Sequence, residues 1–429
     1  MKLWRSDDDK GRRYLAKLDT RIDLVLSPQL EDRVRKVVTA VAKHGDRALT
    51  SFVRRFDLKG MSTADFRLRG TVEAAGEVED EFVKAVEMAI TNLRSFHELQ
   101  LPKGFTLDQD GGDLGIRVRP LESVGVYVPG GAATYLSSLL MAVVPAQVAG
   151  VTRIAVATPP RAFLSSPELR YLLDRLDLHE VYLMGGAHAL AGLAFGTESV
   201  TAVDKIVGPG GRWVTAAKRV LFGAVDIDLV AGPSEVVIVA DGTTDPDIVA
   251  ADLLAQAEHD PDALALLVTT SESLAEKVNR RVTARLRRLP KDAPAREAIR
   301  RWGAILLVPD LDEAVSVVNR VAPEHVELLV AEPLRLLDGI ERAGAVYLGP
   351  WSPVVLGDYV VGTNHILPTA GTARFASPLG VWDFVRRTAV IRVAPHRFPA
   401  LARAARTFAE KERLPLHAEA LGAGERGRR

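Results

Sequence analysis

Gln256 and His259 stand three apart in the segment DLLAQAEH. On a helix that spacing places both on one face, where an amide oxygen and an imidazole can bind one metal ion. The helix reads from Asp247 to His259, with Asp245 as its cap and Pro261 stopping it. On spacing alone a solvated polar face is the better reading of the pair, because Q-x-x-H does not specify a site.

A second candidate is Glu324–His325 in APEHVELLV, just ahead of an apolar run read as the strand Val326–Val330. Histidine has the side chain whose ordinary pKa suits proton transfer near neutrality. Adjacent side chains on an extended segment point apart, so the two need not act on each other, yet both can line a site at a strand end. A surface turn is the alternative.

Asp358 and His365 lie in GDYVVGTNH, a glycine-flanked stretch with little secondary-structure signal. Polar loops of this kind carry ligands or simply bond to themselves. Glu412 and His417 flank Pro415, which should break the helical tail between them. His44, His97, His179 and His396 show no partner pattern.

These residues need a frame, and composition limits what it can be. The 429 residues are 47% hydrophobic and 26% charged, as expected for a globular protein with several cores. Basic and acidic residues balance at 55 each, giving no sign of a nucleic-acid or membrane partner. Cysteine is absent, which excludes disulfides and any thiolate metal or redox site. Metal here must be held by nitrogen and oxygen. The start, MKLWRSDDDKGRR, lacks a signal-peptide layout, and the apolar stretch Leu139–Val151 is interrupted by Pro145 and Gln147. A cytoplasmic address is the expectation.

The first hundred residues or so read as helices. Pro28–Phe56 repeats apolar residues at Val34, Val37, Val38 and Val41, and Glu79–Leu99 does so at Phe82, Val83, Val86 and Ile90. From Val124 onward, short apolar runs alternate with helical stretches. Strands are expected at Val124–Val128, Ile154–Ala157, Val181–Met184, Lys205–Val207, Val236–Val239, Leu264–Val268, Ile305–Val308, Val326–Val330 and Val346–Leu348. Runs this short and apolar suit parallel strands covered on both faces, the α/β pattern. A late strand at Val390–Val393 precedes a helical tail from Pro399 to about Leu421 with few large apolar residues. Glycine turns follow three strands, at Pro129–Gly130–Gly131, Gly185–Gly186 and Gly208–Pro209–Gly210–Gly211. Each suits a tight strand-to-helix turn; three in one block suit a nucleotide crevice, although none is a GxGxxG fingerprint.

Seven segments in this order, VGVYVPGG, DKIVGPG, AGPSEVVIVAD, DLLAQAEH, APEHVELL, GDYVVGTNHILPTAGTARF and ERLPLH, resemble the histidinol dehydrogenase family. The resemblance covers most of the chain. It implies two Rossmann-like α/β domains with parallel sheets, a helical amino-terminal segment and a small helical tail. The implied division gives 1–120 plus 233–380 to the zinc and catalytic residues and 121–232 to NAD. The remaining 381–429 is a tail swapped to the partner of a homodimer. It also implies a zinc site of Gln256, His259, Asp358 and His417, with substrate contacts from those residues and from Ser234, His325, His365 and Glu412. Glu324 and His325 become the catalytic pair, and the implied reaction turns L-histidinol into L-histidine with NAD.

Departures from the family pattern gather in the NAD segment. Tyr127 matches a cofactor contact, but His188 stands where Gln is usual and Gly211 where Asn is usual. Ala142 and Gln147 replace Asn and Lys. Two other readings follow from these departures: a paralogue oxidising another polar alcohol, such as a sulfonated diol, and a zinc- and nucleotide-binding protein without hydride transfer.

Overall fold

The structure, a computed structural model, describes residues 1–68, 78–130 and 135–426. Gly131, in the first glycine turn, therefore lies outside the described residues. By density of contacts the chain forms two units, one of Met1–Leu101 with Leu121–Phe384 and one of Pro102–Pro120 with Val385–Arg429.

The first unit holds two parallel sheets. The larger runs in the order β1 (Lys2–Arg5), β11 (Ala304–Leu307), β10 (Leu264–Thr269), β9 (Glu235–Ala240), β12 (His325–Leu329) and β13 (Ala345–Leu348). Alternation along β9 explains how it is buried. Val236, Ile238 and Ala240 pack under the helices Pro246–Ala257, Glu272–Arg288 and Pro294–Arg301. Val237 and Val239 pack under Asp9–Asp19 and Leu311–Val321. Both faces are covered, which is why these strands read as unbroken apolar runs.

The smaller sheet runs in the order β6 (Glu180–Leu183), β5 (Arg153–Thr158), β4 (Ser123–Tyr127), β7 (Lys205–Val207) and β8 (Asp226–Ile227), again parallel. The helix Pro28–Phe56 buries Val34, Val38, Val41, Leu49 and Val53 in its core. It packs on the helices Gly186–Phe195 and Arg212–Leu221, and Asp80–Glu98 packs on Leu136–Ala149. Of the segment grouped with the larger sheet, β1 and Asp9–Asp19 do pack there, whereas Pro28–Phe56 and Asp80–Glu98 pack on helices of the smaller sheet. These helices present stripes that match the helices of the smaller sheet, a pairing that chain order does not reveal.

The second unit contains an antiparallel sheet of β14 (Val385–Arg392), β3 (Asp113–Pro120) and β2 (Phe105–Asp108), followed by the helices Phe398–Lys411 and Pro415–Arg426. The expectation of helices up to about residue 100 missed β1, and the strand list missed β2 and β3. β1 is a four-residue edge strand made by pairing with β11. β3 does carry a signal, since Leu114, Ile116 and Val118 alternate with polar residues. The tail helix breaks at Arg413, whose φ of 59° is left-handed, just ahead of Pro415 as expected.

Candidate active site

A cavity of about 160 Å³ in the first unit is lined by Ser234, Gln256, His259, Glu324, His325, Asp358 and His365, together with Tyr135, Ser138 and Thr369. Seven residues singled out in the sequence thus meet in one place. All but His365, which lies in an irregular stretch, stand at or beside the end of a regular element. Ser234 precedes β9, Gln256 lies in the last turn of Pro246–Ala257, and His325 opens β12. His259 was expected inside its helix but falls two residues past Ala257, because the helix caps at Glu258. Asp358, expected in a loop, sits on the short helix Val354–Tyr359. β-branched Val354 and Val355 and Gly357 are weak helix formers, so the turn exists through its anchoring: Glu327 Oε1 accepts the Val354 N–H at 2.9 Å.

His325 is buried, at 3% exposure. Its Nδ1 lies 3.0 Å from the Glu235 carbonyl oxygen and 3.4 Å from Glu324 Oε2. Two acceptors around Nδ1 keep a proton on that nitrogen, so in the neutral ring the lone pair stands on Nε2. Nε2 has no hydrogen-bond partner and stands 3.9 Å from Asp358 Oδ1. Burial opposes a charge on this ring, but the Glu324 and Asp358 carboxylates and the Glu235 carbonyl outweigh it, pushing His325 up to about 9.

Glu324 and Glu235 are locked reciprocally. Glu324 Oε2 accepts the Glu235 N–H at 2.9 Å, and Glu235 Oε2 accepts the Glu324 N–H at 3.3 Å. Glu235 Oε1 is paired with Arg21 at 2.6 Å, both side chains 3% exposed, and also accepts the Ala370 N–H. His365 donates from Nδ1 to the Asp358 carbonyl at 2.7 Å, so its Nε2 accepts from Ser138 Oγ at 3.1 Å. Burial holds His365 below its ordinary pKa. Arg21, Glu235, Glu327 and Ser138 were not singled out in the sequence. The signal for Glu235 and Glu327 was there, as carboxylates inside apolar runs that must be paired if buried.

Among the described residues, no group of three His, Cys, Asp or Glu side chains converges as a metal site. The cavity nevertheless gathers an amide, an imidazole and a carboxylate in Gln256, His259 and Asp358, a nitrogen and oxygen set that fits zinc. Glu412 and His417 are exposed residues of the second unit.

Tyr127, His188 and Gly211 do not line this cavity. His188 is buried, its Nε2 2.8 Å from Asp57, which also accepts the Gly185 N–H at 3.1 Å. The Tyr127 hydroxyl accepts the Gly186 N–H at 3.0 Å. The Gly185–Gly186 amides are therefore bonded within the chain, and His188 supports the turn from behind. Gly208, at φ 110°, brings backbone so close to Tyr127 that a Cβ would stand 2.3 Å from its carbonyl oxygen. Gly211 caps the helix Arg212–Leu221 and lines a separate cleft with Arg212 and Thr215.

Residues 24–423 match the family model for histidinol dehydrogenase. The chain belongs to the histidinol dehydrogenase family. It is 47% identical over 393 residues to a histidinol dehydrogenase of Bacillus licheniformis, covering 90% of this chain and 92% of that one. It is 43% identical over 431 residues to that of Rhizobium meliloti, with 98% of each covered. The crystal structure of histidinol dehydrogenase from Elizabethkingia anophelis superposes with a TM-score of 0.88 at 31% identity, covering 100% of this chain and 98% of that one. Members of this family are oxidoreductases of histidine biosynthesis, and this chain is an enzyme of that kind.

Proposed function

We propose that the chain oxidises L-histidinol to L-histidine through histidinaldehyde, with zinc and two NAD per turnover, as a cytoplasmic enzyme. The observation that carries this reading is the free Nε2 of His325 in a cavity shared with Gln256, His259 and Asp358. Among the described residues no helix is long and apolar enough to cross a membrane.

The neutral form of His325, gained as pH rises through about 9, offers Nε2 as the base that takes the hydroxyl proton as the carbinol C–H leaves as hydride. The segment 121–232 would hold NAD, which when bound would supply the hydride acceptor. Glu324 keeps Oε2 on the Glu235 amide, which leaves Oε1 to take a proton from the water that adds to the aldehyde. His325, after releasing its first proton to solvent, takes the hydroxyl proton of the hydrate during the second oxidation. Ser234 and His365 contribute polar contacts that orient the substrate. Holding the aldehyde in the same cavity protects it between steps.

Gln256, His259 and Asp358 would hold zinc, with His417 of a second copy completing the set and Glu412 beside it on the swapped tail. Bound zinc would orient the substrate through its nitrogen atoms. The exposure of Glu412 and His417 on a weakly apolar tail supports that role. Tyr127 and Gly211 are assigned to the cofactor, and His188 acts through the turn it braces.

The test is NAD reduction by zinc-loaded protein with L-histidinol, with and without chelator. The expected result is turnover that chelation abolishes and zinc restores. A rate no higher than with simple alcohols overturns the reading. Turnover of a sulfonated diol alone would move the assignment to a paralogue.

A further inference from the structure

Two carboxyl groups behind the cavity face each other with one oxygen of each lacking a donor. The helix Pro246–Ala257 buries Val249, Leu253, Gln256 and Ala257, and Asp252 shares this helical stripe at i+3 from Val249. On β12, His325, Glu327 and Leu329 share the face turned to that helix, as Leu329 packs with Val249 and Leu253. Glu327 is fully buried there. Each acid thus occupies a place where a core residue would stand.

Glu327 Oε1 is taken by the Val354 N–H. Its Oε2 and the Asp252 Oδ2 are both buried, and neither has a donor. Two unpartnered acceptors in side-chain contact are costly unless one carries a proton and donates to the other. Arg285 favours the charged form of Asp252 and His325 that of Glu327, but neither donates to the two unpartnered oxygens. Arg285 acts on Asp252 at a distance while bonding Asp247 at 3.2 Å, and His325 and Tyr347 lie on the Glu327 side. Burial raises both acids, and Asp252 raises Glu327 further.

We propose that Asp252 and Glu327 share one proton, and that this acid–carboxylate contact fixes the elements bearing Gln256, His259 and Asp358 against the strand bearing His325. Asp252 precedes Gln256 by one helical turn. Glu327 is two residues from His325 and anchors the first residue of the helix that carries Asp358. Two hydrogen bonds through Glu327 therefore tie three elements together. Both acids are positioning residues, and their link to metal rests on the function proposed above.

Infrared difference spectra test the shared proton without metal or substrate. At neutral pH the wild type minus Glu327→Gln spectrum should show a protonated-carboxyl C=O band that shifts in D2O. The wild type minus Asp252→Asn spectrum should show the same band. Its absence from both overturns the shared proton.

Zinc release to a competing chelator tests positioning. Asp252→Ala and Glu327→Ala should weaken zinc retention by about tenfold or more, as loss of outer-shell support does. Glu327→Gln, whose amide donates to Asp252, should stay within about twofold of wild type. Unchanged retention in both alanine variants overturns positioning. If those variants do not fold, weakened retention in Glu327→Gln overturns it instead. Wild type that shows the band but binds no zinc overturns the metal reading and leaves the shared proton standing.

Discussion

The Nδ1 of His325 lies 3.0 Å from the carbonyl oxygen of Glu235, its neighbour across the sheet from the start of β9. A carbonyl can only accept, so this contact fixes the tautomer and presents Nε2 to the cavity. Replacing His325 with Asn keeps a donor of similar reach but removes the proton acceptor. Turnover of L-histidinol should fall by about a hundredfold to ten-thousandfold, the usual contribution of a general base. Zinc content, measured by atomic absorption, should not change, because His325 is not assigned as a ligand. Loss of metal in His325→Asn would mean that His325 binds it.

Glu235 keeps its place through Arg21, which donates from Nη2 and Nε to the carbonyls of Val321 and Leu18 while pairing with the carboxylate. Arg21→Met leaves a buried carboxylate without its counter-charge. Breaking one side of such a pair typically costs about 3–5 kcal/mol. Chemical denaturation should show a loss of that size. Arg21→Lys should recover only part of it, since an ammonium cannot make the same fork of contacts. A loss below about 1 kcal/mol for Arg21→Met would show that Glu235 is protonated in the folded chain.

The contrast between Gln256 and Arg21 shows where sequence reading reaches its limit. The apolar runs of β9, β10 and β12 could be read because burial on both faces leaves them few polar positions, Glu235, His325 and Glu327 standing out. Gln256 and His259 could be paired because helical spacing is local. Nothing local links Asp358 to His325; the family segments linked them, and the short helix under Asp358 depends on Glu327, distant in sequence. Arg21 was not singled out, because its burial follows from a partner more than 200 residues away. Glu327 was readable in principle. A carboxylate inside VELLV contradicts the pattern of a buried strand, and such a contradiction marks a site or its support. The helix Pro28–Phe56 was recognised from its stripe, but a stripe does not state which sheet it will cover.

His97 supplies a pH dependence remote from the cavity. It is fully buried, with Nδ1 2.9 Å from Gln100 Oε1 and Nε2 unpartnered. Burial lowers its pKa below 6.5, and the Gln100 contact only partly opposes this. In the unfolded chain the ring protonates near the ordinary value of about 6.5, so the unfolded state binds more protons just below that pH. The stabilising contribution is complete above that value and is lost as pH falls through it toward the lowered folded value. Urea unfolding should show wild type losing more stability between about pH 7 and about pH 5 than His97→Phe does. Equal losses would show that His97 is protonated in the fold.

Gly211 is the departure from the family pattern with the clearest structural consequence. It caps the helix Arg212–Leu221 with φ −67° and ψ 176°, a conformation any residue adopts, and a Cβ added there meets nothing within 4 Å. Asn is a favoured residue at such a cap, so Gly211→Asn should be neutral or slightly stabilising. If this cleft receives NAD, the new amide adds about one hydrogen bond, roughly 0.5–1.5 kcal/mol, or about a fewfold to tenfold in affinity. Calorimetric titration should show NAD binding tightened to that extent while zinc content stays the same. Unchanged affinity with an intact fold would place the cofactor away from the start of this helix.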